Sequence, residues 1–268
     1  MLKILLITSN SKRHQYFKLR LENYKSKKYK IIFTFIEKEN SKVDKVFKSN
    51  LEKNHLDARN ISEIDFFDNY ISNCEIKKRD TKIINKGEIN QNKNINFILK
   101  KNPDLIVTYG CSIIKGKLLK SMQNKIINVH LGLSPYYLGA GTNFYALKNR
   151  DFQCVGYTFL YMDEGVDTGK IIHQSRARIF PFDTPHQIGN RIILQMVNDM
   201  IKLLENMNKI KKIKINKFFN SKIYYKKDFN RKAVYDLYKD FNNSLINYLN
   251  KSKKMEDKFP IISQKFIK

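Results

Sequence analysis

The chain has no tryptophan, and only five prolines and ten glycines among 268 residues. That scarcity excludes collagen-like and proline-rich low-complexity classes. Cysteine is also rare: Cys74, Cys111 and Cys154 are odd in number and far apart. Neither a disulfide framework nor a cysteine-based metal spacing follows, and a reduced, cytoplasmic setting is expected. No apolar run approaches the ~18 residues of a membrane helix, so no membrane partner is expected. The apolar opening, residues 1–8, is too short for a secretory core and reads as a buried strand. Acidic residues are the last scarcity. There are 25 Asp and Glu against 51 Lys and Arg, a formal net charge of +26.

Apolar residues make up 42% and aromatics 12%, enough for a packed core and too much for wholesale disorder. The length suits one large α/β domain with a small appendage. The positive excess reads in two ways. It fits nucleic acid, an anionic membrane surface or phosphorylated small molecules as partners. It also fits a lysine-rich codon bias, since only 9 of the 51 cations are Arg, the residue suited to bidentate phosphate contacts.

Residues 2–8 form a continuous apolar run, as in a parallel strand buried on both faces. Ser9, Asn10 and Ser11 supply helix-start chemistry, and the following helix is expected to reach Tyr24. Residues 28–36 read as a second strand, completing a βαβ opening. Helical periodicity runs over residues 61–74. Residues 77–93 are polar, with a single glycine, and read as a loop. A short helix over 94–101, a strand over 104–109, a helix over 113–122 and a strand over 126–130 follow. A helix over 142–148 comes next, then paired strands over 155–161 and 170–180. Thr184-Pro185-His186-Gln187 has the pattern of a capping box with Pro at the first helical position. Ile188, Ile192, Met196, Met200 and Leu204 continue that helix. The fold class expected is α/β, Rossmann-like, with a mostly parallel sheet.

Composition shifts near residue 202. From there to the end the chain carries 18 Lys or Arg against 6 Asp or Glu. The expected division is a catalytic domain over 1–206 and a basic, mostly helical extension over 207–268. Val234, Leu237, Phe241, Leu245 and Leu249 lie on one side of a single amphipathic helix in this reading. Ser175–Arg178 reads as an exposed strand face.

The best candidate for chemistry is Asn128-Val129-His130. Residues two apart on a strand share a side, and these end an apolar strand, at the edge where ligands bind in open α/β sheets. Each residue alone has an ordinary reading as a turn former or a core histidine. A glycine-punctuated loop follows, over residues 131–141, and such loops on a scaffold tend to carry function. Thirty-seven residues after His130 comes Asp167, within an acidic loop, residues 162–169, between two expected strands. An amide, an imidazole and a carboxylate from neighbouring strand ends make a workable catalytic trio. Attack of a nucleophile on a carbonyl carbon develops an oxyanion. Preorganised donors aimed at that oxygen contribute about 3 kcal/mol each. Asn128 and His130 offer such donors, and Asp167 can take the proton the nucleophile loses.

These residues resemble a known family. Asn128-Val-His130, then Ser134-Pro135-x-x-x-Gly139, then Asp163-x-Gly165-Val-Asp167-x-Gly169 is similar to the folate-dependent formyltransferases. That family formylates glycinamide ribonucleotide, methionyl-tRNA and nucleotide-linked amino sugars. The resemblance covers about residues 1–206. It implies a Rossmann-like domain that takes 10-formyltetrahydrofolate as donor and needs no metal. It implies catalytic roles for Asn128, His130 and Asp167. It implies a pterin-binding segment of Tyr109, Gly110, Cys111, Ser112, Ile113 and Ile114, with the loop bearing Tyr161, Asp163 and Gly165 closing over the folate. Tyr136 and Asn143 are candidate acceptor contacts; each reads equally as a packing residue or a helix cap.

The sequence departs from the family in three places. Leu131 and Gly132 follow the histidine where most relatives have Pro. Residues 8–14 contain no glycine, where relatives acting on glycinamide ribonucleotide carry a glycine-rich phosphate loop; Ser11, Lys12 and Arg13 at a helix start are the candidate phosphate contacts. The tail reads as helical, where tRNA-acting relatives carry a β-barrel. The expected acceptor is therefore a small phosphorylated amine, with methionyl-tRNA as an alternative. Hydrolysis of formyl-folate and RNA binding by an inactive scaffold are the other readings.

Overall fold

The computed structural model describes residues 1–38, 49–74, 80–213 and 221–267. Strand β1 (Leu2–Ser9), helix α1 (Lys12–Asn23) and strand β2 (Tyr29–Lys38) form the expected opening unit. Helix α2 (Asn50–Asn73) leads to strand β3 (Thr81–Asn85), helix α3 (Asn92–Lys101), strand β4 (Leu105–Tyr109), helix α4 (Gly116–Ser121) and strand β5 (Ile126–His130). Strand β6 (Tyr137–Gly139), helix α5 (Thr142–Lys148), strands β7 (Gly156–Tyr161) and β8 (Ile171–Arg176) and helix α6 (Pro185–Glu205) complete the expected catalytic region. The tail holds strand β9 (Lys222–Tyr224) and helices α7 (Arg231–Tyr238), α8 (Phe241–Leu249) and α9 (Ser252–Glu256).

Among the described residues the main sheet has seven strands in the order β3-β2-β1-β4-β5-β7-β8. The first five are parallel; β7 is antiparallel to β5, and β8 to β7. The Rossmann-like, mostly parallel α/β expectation holds. The apolar run of β1 serves both faces by simple alternation. Ile4 and Leu6 pack with Phe17, Phe67, Met196 and Met200 of α1, α2 and α6. Leu5 and Ile7 pack with Phe35, Ile95, Ile98 and Leu118 on the opposite face. Each such side chain, once buried, contributes about 1.5–3 kcal/mol. At the start of α6, Thr184 Oγ1 accepts from the Gln187 backbone N–H at 3.2 Å and Gln187 Oε1 from the Thr184 backbone N–H at 2.9 Å, the anticipated capping box.

Four local expectations fail, each for a physical reason. Residues 81–85 are a strand, β3, and not loop. It is an edge strand with only Ile84 buried, and Lys82 lies over Phe35 at 5.9 Å, so its polarity reflects a blunted sheet edge. The expectation for residues 77–79 lies outside the described residues. Residues 113–115 are not helical. Gly116, at φ +60, opens a helix of one and a half turns. The amphipathic tail helix is two helices, broken at Asp240 with φ +56. Its apolar stripe survives the break because Val234, Leu237, Phe241 and Leu245 are all buried. Arg176 is no exposed strand residue. Its guanidinium donates to the carbonyls of Gln153 at 2.9 Å, Glu256 at 3.2 Å and Phe259, fastening the tail to the sheet.

Tail and domain share a second core. Leu237, Phe241, Leu245 and Tyr248 pack with Tyr137, Tyr145, Phe152 and Val155. Near the C-terminus Gln264 donates to the Ile172 carbonyl at 2.9 Å, and its backbone N–H donates to Nδ1 of His173 at 3.1 Å. Ile267 is buried in the first core.

Candidate functional site

In the sheet order the direction of winding reverses between β1 and β4, the point where open α/β sheets bind ligands at their carboxyl ends. Two segments flank it. One is the start of α1. There Ser11 Oγ lies 2.6 Å from Nδ1 of His14, and the His14 ring packs on Tyr109 at 4.4 Å. The other is the segment after β4. Gly110 has φ +69, and a Cβ there would overlap the His14 ring. A glycine is therefore required, for conformation and for space. Burial, then the nearby Arg13 and Arg59, lowers the His14 pKa well below its ordinary value.

The next strand, β5, brings Asn128 and His130 to the same edge. Asp167 arrives from the loop between β7 and β8. Its Oδ2 lies 3.1 Å from Nδ1 of His130, and its Oδ1 accepts from Nδ2 of Asn128 at 3.1 Å. Its Oδ2 also accepts from the backbone N–H of Gly139 at 3.0 Å. The amide of Asn128 is oriented by Thr108, whose hydroxyl donates to Oδ1 at 2.9 Å and so turns the NH2 toward Asp167. The loop itself is braced. Asp163 Oδ1 accepts from the Gly165 N–H at 3.0 Å and from the Thr168 hydroxyl at 2.9 Å, and Asp167 adopts φ +55.

Donor and acceptor accounting locates a proton. Nε2 of His130 is 2.9 Å from the carbonyl of Tyr137, which only accepts, so that nitrogen carries hydrogen. Nδ1 lies 3.1 Å from Oδ2 of Asp167. Both groups are largely enclosed, at 5% and 12% side-chain exposure. Asn128 Nδ2 has two hydrogens, of which Asp167 Oδ1 takes one.

The remaining predicted residues divide. Tyr109 and Ile114 are buried, and Ile113 is 65% exposed at the rim. Burial, then the Glu37 carboxylate, pushes the Cys111 thiol up to about 12, so it is no nucleophile at neutral pH. Tyr161 ends β7, beside the loop carrying Asp163 and Gly165. Tyr136 is buried in the second core, and its hydroxyl donates to the Pro260 carbonyl at 2.6 Å. Asn143 likewise serves the scaffold, bridging Gly156 with bonds to its carbonyl at 2.9 Å and its N–H at 3.0 Å.

The expected phosphate seat is already filled. Lys12 is ion-paired with Asp68 and Arg13 with Glu63, both on α2. One Glu63 oxygen also lies 3.4 Å from the backbone N–H of Arg13, so an internal carboxylate sits at the start of α1. Sequence reasoning missed Thr108 and Glu63, and met Gly139 only within a motif, with no role for its N–H. Gly139 contributes only a backbone N–H, which no side-chain pattern reveals. Gly132 gave the one usable signal, as the departure after the histidine; a Cβ there would lie 2.6 Å from Nε2 of His130.

Among the described residues no three His, Cys, Asp or Glu side chains gather as metal ligands would, and no helix is long and apolar enough to cross a membrane.

Residues 4–204 match the family model described as "Formyl transferase". A methionyl-tRNA formyltransferase of Finegoldia magna is 30% identical over 142 residues, 51% of this chain and 42% of that protein. One from Agathobacter rectalis is 38% identical over 106 residues, 39% of this chain and 34% of that protein. The chain thus spans less than half the length of these curated relatives. Among solved structures, a phosphoribosylglycinamide formyltransferase from Anaplasma phagocytophilum aligns with TM-score 0.58 at 20% identity, over 78% of this chain and 89% of that one. A sugar N-formyltransferase from Shewanella sp. aligns with TM-score 0.51 at 18% identity, over 84% of this chain and 78% of that one. At these identities the structural likeness speaks to fold.

Proposed function

The chain belongs to the formyltransferase family, and from that premise we propose that it transfers the formyl group of 10-formyltetrahydrofolate to the primary amine of a small acceptor. One observation carries the reading: Asp167 lies 3.1 Å from both Nδ1 of His130 and Nδ2 of Asn128 at the carboxyl edge of the sheet. Donor binding falls to the backbone-rich segment Tyr109, Gly110, Cys111, Ser112, Ile113 and Ile114, and to the loop with Tyr161, Asp163 and Gly165. The donor, when bound, supplies the electrophilic formyl carbon.

The side chains then have distinct tasks. Asn128 turns its second N–H to the formyl oxygen as negative charge develops there. A ring N–H of His130 is the second donor to that oxygen. Asp167 accepts the proton given up by the attacking amine and passes it to the departing tetrahydrofolate nitrogen as the formyl C–N bond breaks. Thr108 and the Gly139 N–H keep the amide and the carboxylate aimed. No step calls for a metal.

For the acceptor, the carboxylates on Lys12 and Arg13 weigh against a phosphate held at the start of α1, as a glycinamide ribonucleotide would require under the sequence expectation. We therefore favour an amino sugar carried on a nucleotide, its phosphates held elsewhere. Methionyl-tRNA is the second reading. The names of the sequence relatives and the net charge of +26 favour it, and the helical tail weighs against it.

The test is incubation with 10-formyltetrahydrofolate and, in turn, a nucleotide-linked amino sugar, glycinamide ribonucleotide, methionyl-tRNA and buffer alone, followed by product mass. A formylated amino sugar supports the proposal. Formylation of methionyl-tRNA alone moves the acceptor to the second reading. Formate release without any amine replaces transfer by hydrolysis. Absence of every product, with no folate bound, refutes the enzyme reading.

A further inference from the structure

Strand β2 ends with a residue that the trio does not use. Glu37 is 2% exposed. A carboxylate so enclosed is costly unless its oxygens are satisfied, and here each has a main-chain donor. Oε2 accepts from the N–H of Ser112 at 2.6 Å, and Oε1 from the N–H of Gly87 at 3.1 Å. The sheet does not require this side chain. Glu37 takes its place in the ladder opposite Ser9 and Ile84 through backbone groups alone, and an apolar residue would serve the strand as well. The carboxylate instead spans from β2 past the end of β1 to the segment after β4.

A second clamp acts on the same segment from the same side. Asn90, in a short turn after β3, donates from Nδ2 to the carbonyl of Ile113 at 2.9 Å. Its Oδ1 accepts from the N–H of Lys115 at 3.0 Å. Ile113 and Lys115 are therefore tied at the backbone to Asn90, and Ser112 is linked to Gly87 through Glu37. Glu37 joins that turn to the segment, and Asn90 repeats the connection. On the far side Gly110 is pressed against His14, and Ile114 is buried with Leu118.

We propose that Glu37 is a positioning residue for the donor: its carboxylate fixes the backbone of residues 110–115 in the shape that receives the folate ring, with Asn90 as the second clamp. The proposal rests on the folate reading of that segment. A loop ordered in advance loses less conformational freedom on binding, which raises affinity without adding a contact. Glu37 touches neither Asn128, His130 nor Asp167, so its effect falls on donor binding rather than on the acceptor or the chemical step.

Glutamine at this position tests the carboxylate specifically. A carboxylate accepts with both oxygens, whereas a carboxamide presents one oxygen and one NH2. Of the two N–H groups now facing Glu37, one would then meet a donor, with volume unchanged. The experiment uses the full chain. Amide hydrogen exchange without ligand is followed peptide by peptide, and tetrahydrofolate binding and the Michaelis constants for donor and acceptor are measured for wild type and Glu37→Gln.

Exchange over 110–115 is expected to quicken while the α6 peptides stay protected. The Kd for tetrahydrofolate is expected to rise at least tenfold, with the acceptor KM within twofold. Unchanged exchange in the loop, a tetrahydrofolate Kd within twofold of wild type, or an equal loss for donor and acceptor overturns the proposal. Should Glu37→Gln fail to fold, Asn90→Ala removes the second clamp from a more exposed position. It is expected to weaken tetrahydrofolate several-fold, and an unaltered Kd overturns the proposal. A wild-type protein that takes up no tetrahydrofolate refutes the folate reading itself, and the positioning role falls with it. A wild type that binds, beside a variant that binds equally well, refutes the positioning role alone.

Discussion

Asp167→Asn is the sharpest perturbation of the site. The side chain keeps its shape, but one acceptor oxygen becomes a donor. Asp167 accepts from two N–H groups, Asn128 Nδ2 at 3.1 Å and the Gly139 backbone at 3.0 Å, and lies 3.1 Å from His130 Nδ1. An amide nitrogen at the Oδ2 position would oppose Gly139; at the Oδ1 position it would oppose Asn128. Either way a donor meets a donor. The amide is also not basic, so the amine's proton has no acceptor. Loss of a positioned base costs about 10²–10⁴-fold, and misaiming one oxyanion donor about 10²–10³-fold. Because the three residues act as a unit the losses do not multiply in full, and a fall in kcat/KM of about 10³–10⁵-fold is expected. The hydrogen-bond penalty to folding is about 1–3 kcal/mol, softened by the 12% exposure of the Asp167 side chain. A melting curve is therefore expected to remain cooperative. The assay is formyl transfer in single turnover, with tetrahydrofolate affinity and thermal unfolding measured on the same preparation. Tetrahydrofolate binding is expected within a few-fold of wild type. A folded variant that transfers formyl within tenfold of wild type would refute the assignment of Asp167.

Three further outcomes follow from the same coordinates. Gly110→Ala places a methyl on the His14 ring at a backbone with φ +69; a loss of about 2–4 kcal/mol by denaturant titration is expected, and an unchanged midpoint would show that the His14 ring moves freely. Burial first, then neighbouring cations, lowers His55 to about 3 and His186 to about 4; unfolded histidines titrate near 6.5, so the unfolded chain takes protons first and stability falls as pH drops below about 6.5 toward 4. Once protonated in the unfolded chain, the buried His55 alone accounts for about 1.4 kcal/mol per pH unit, and His55→Gln with His186→Gln should flatten the acid limb of the stability curve, whereas an identical limb refutes the assignment. Truncation at residue 206 removes Leu237, Phe241, Leu245 and Tyr248 from the second core; at about 1.5–3 kcal/mol each this loss matches a typical total stability of about 5–15 kcal/mol, so no cooperative melt is expected from the fragment, and a soluble fragment with a sharp transition would show the tail to be an independent appendage.

What could be read from the sequence, and what could not, follows the range of the interactions. The central strands were legible because burial on both faces leaves a continuous apolar run, as in Ile4 to Ile7. The α6 start was legible because Thr184 and Gln187 are three residues apart and satisfy each other. Edge strand β3 was not, since a strand with one buried residue and a lysine over its neighbour's ring has the composition of a loop. The break at Asp240 left the apolar stripe of the tail intact, so periodicity alone could not register it.

The candidate site follows the same division, and the start of α1 shows it most plainly. Ser11, Lys12 and Arg13 at a helix N-terminus are the right residues for an anion, and in isolation they would attract one. The anion that arrives is Glu63, fifty residues later on α2. Local chemistry predicted the charge that belongs there, and only the packing of α2 against α1 revealed that the protein supplies it. Asn128 and His130 escaped this uncertainty because one strand sets them side by side. Asp167 was placed by its motif spacing, which encodes the return of the chain to the same sheet edge. Where position depends on a main-chain group alone, as with the Gly139 N–H that holds Asp167, side-chain identity carries no record of it. The acceptor-side residues of this site are therefore the ones to seek by structure and mutation, and the donor-side trio the part that sequence can nominate.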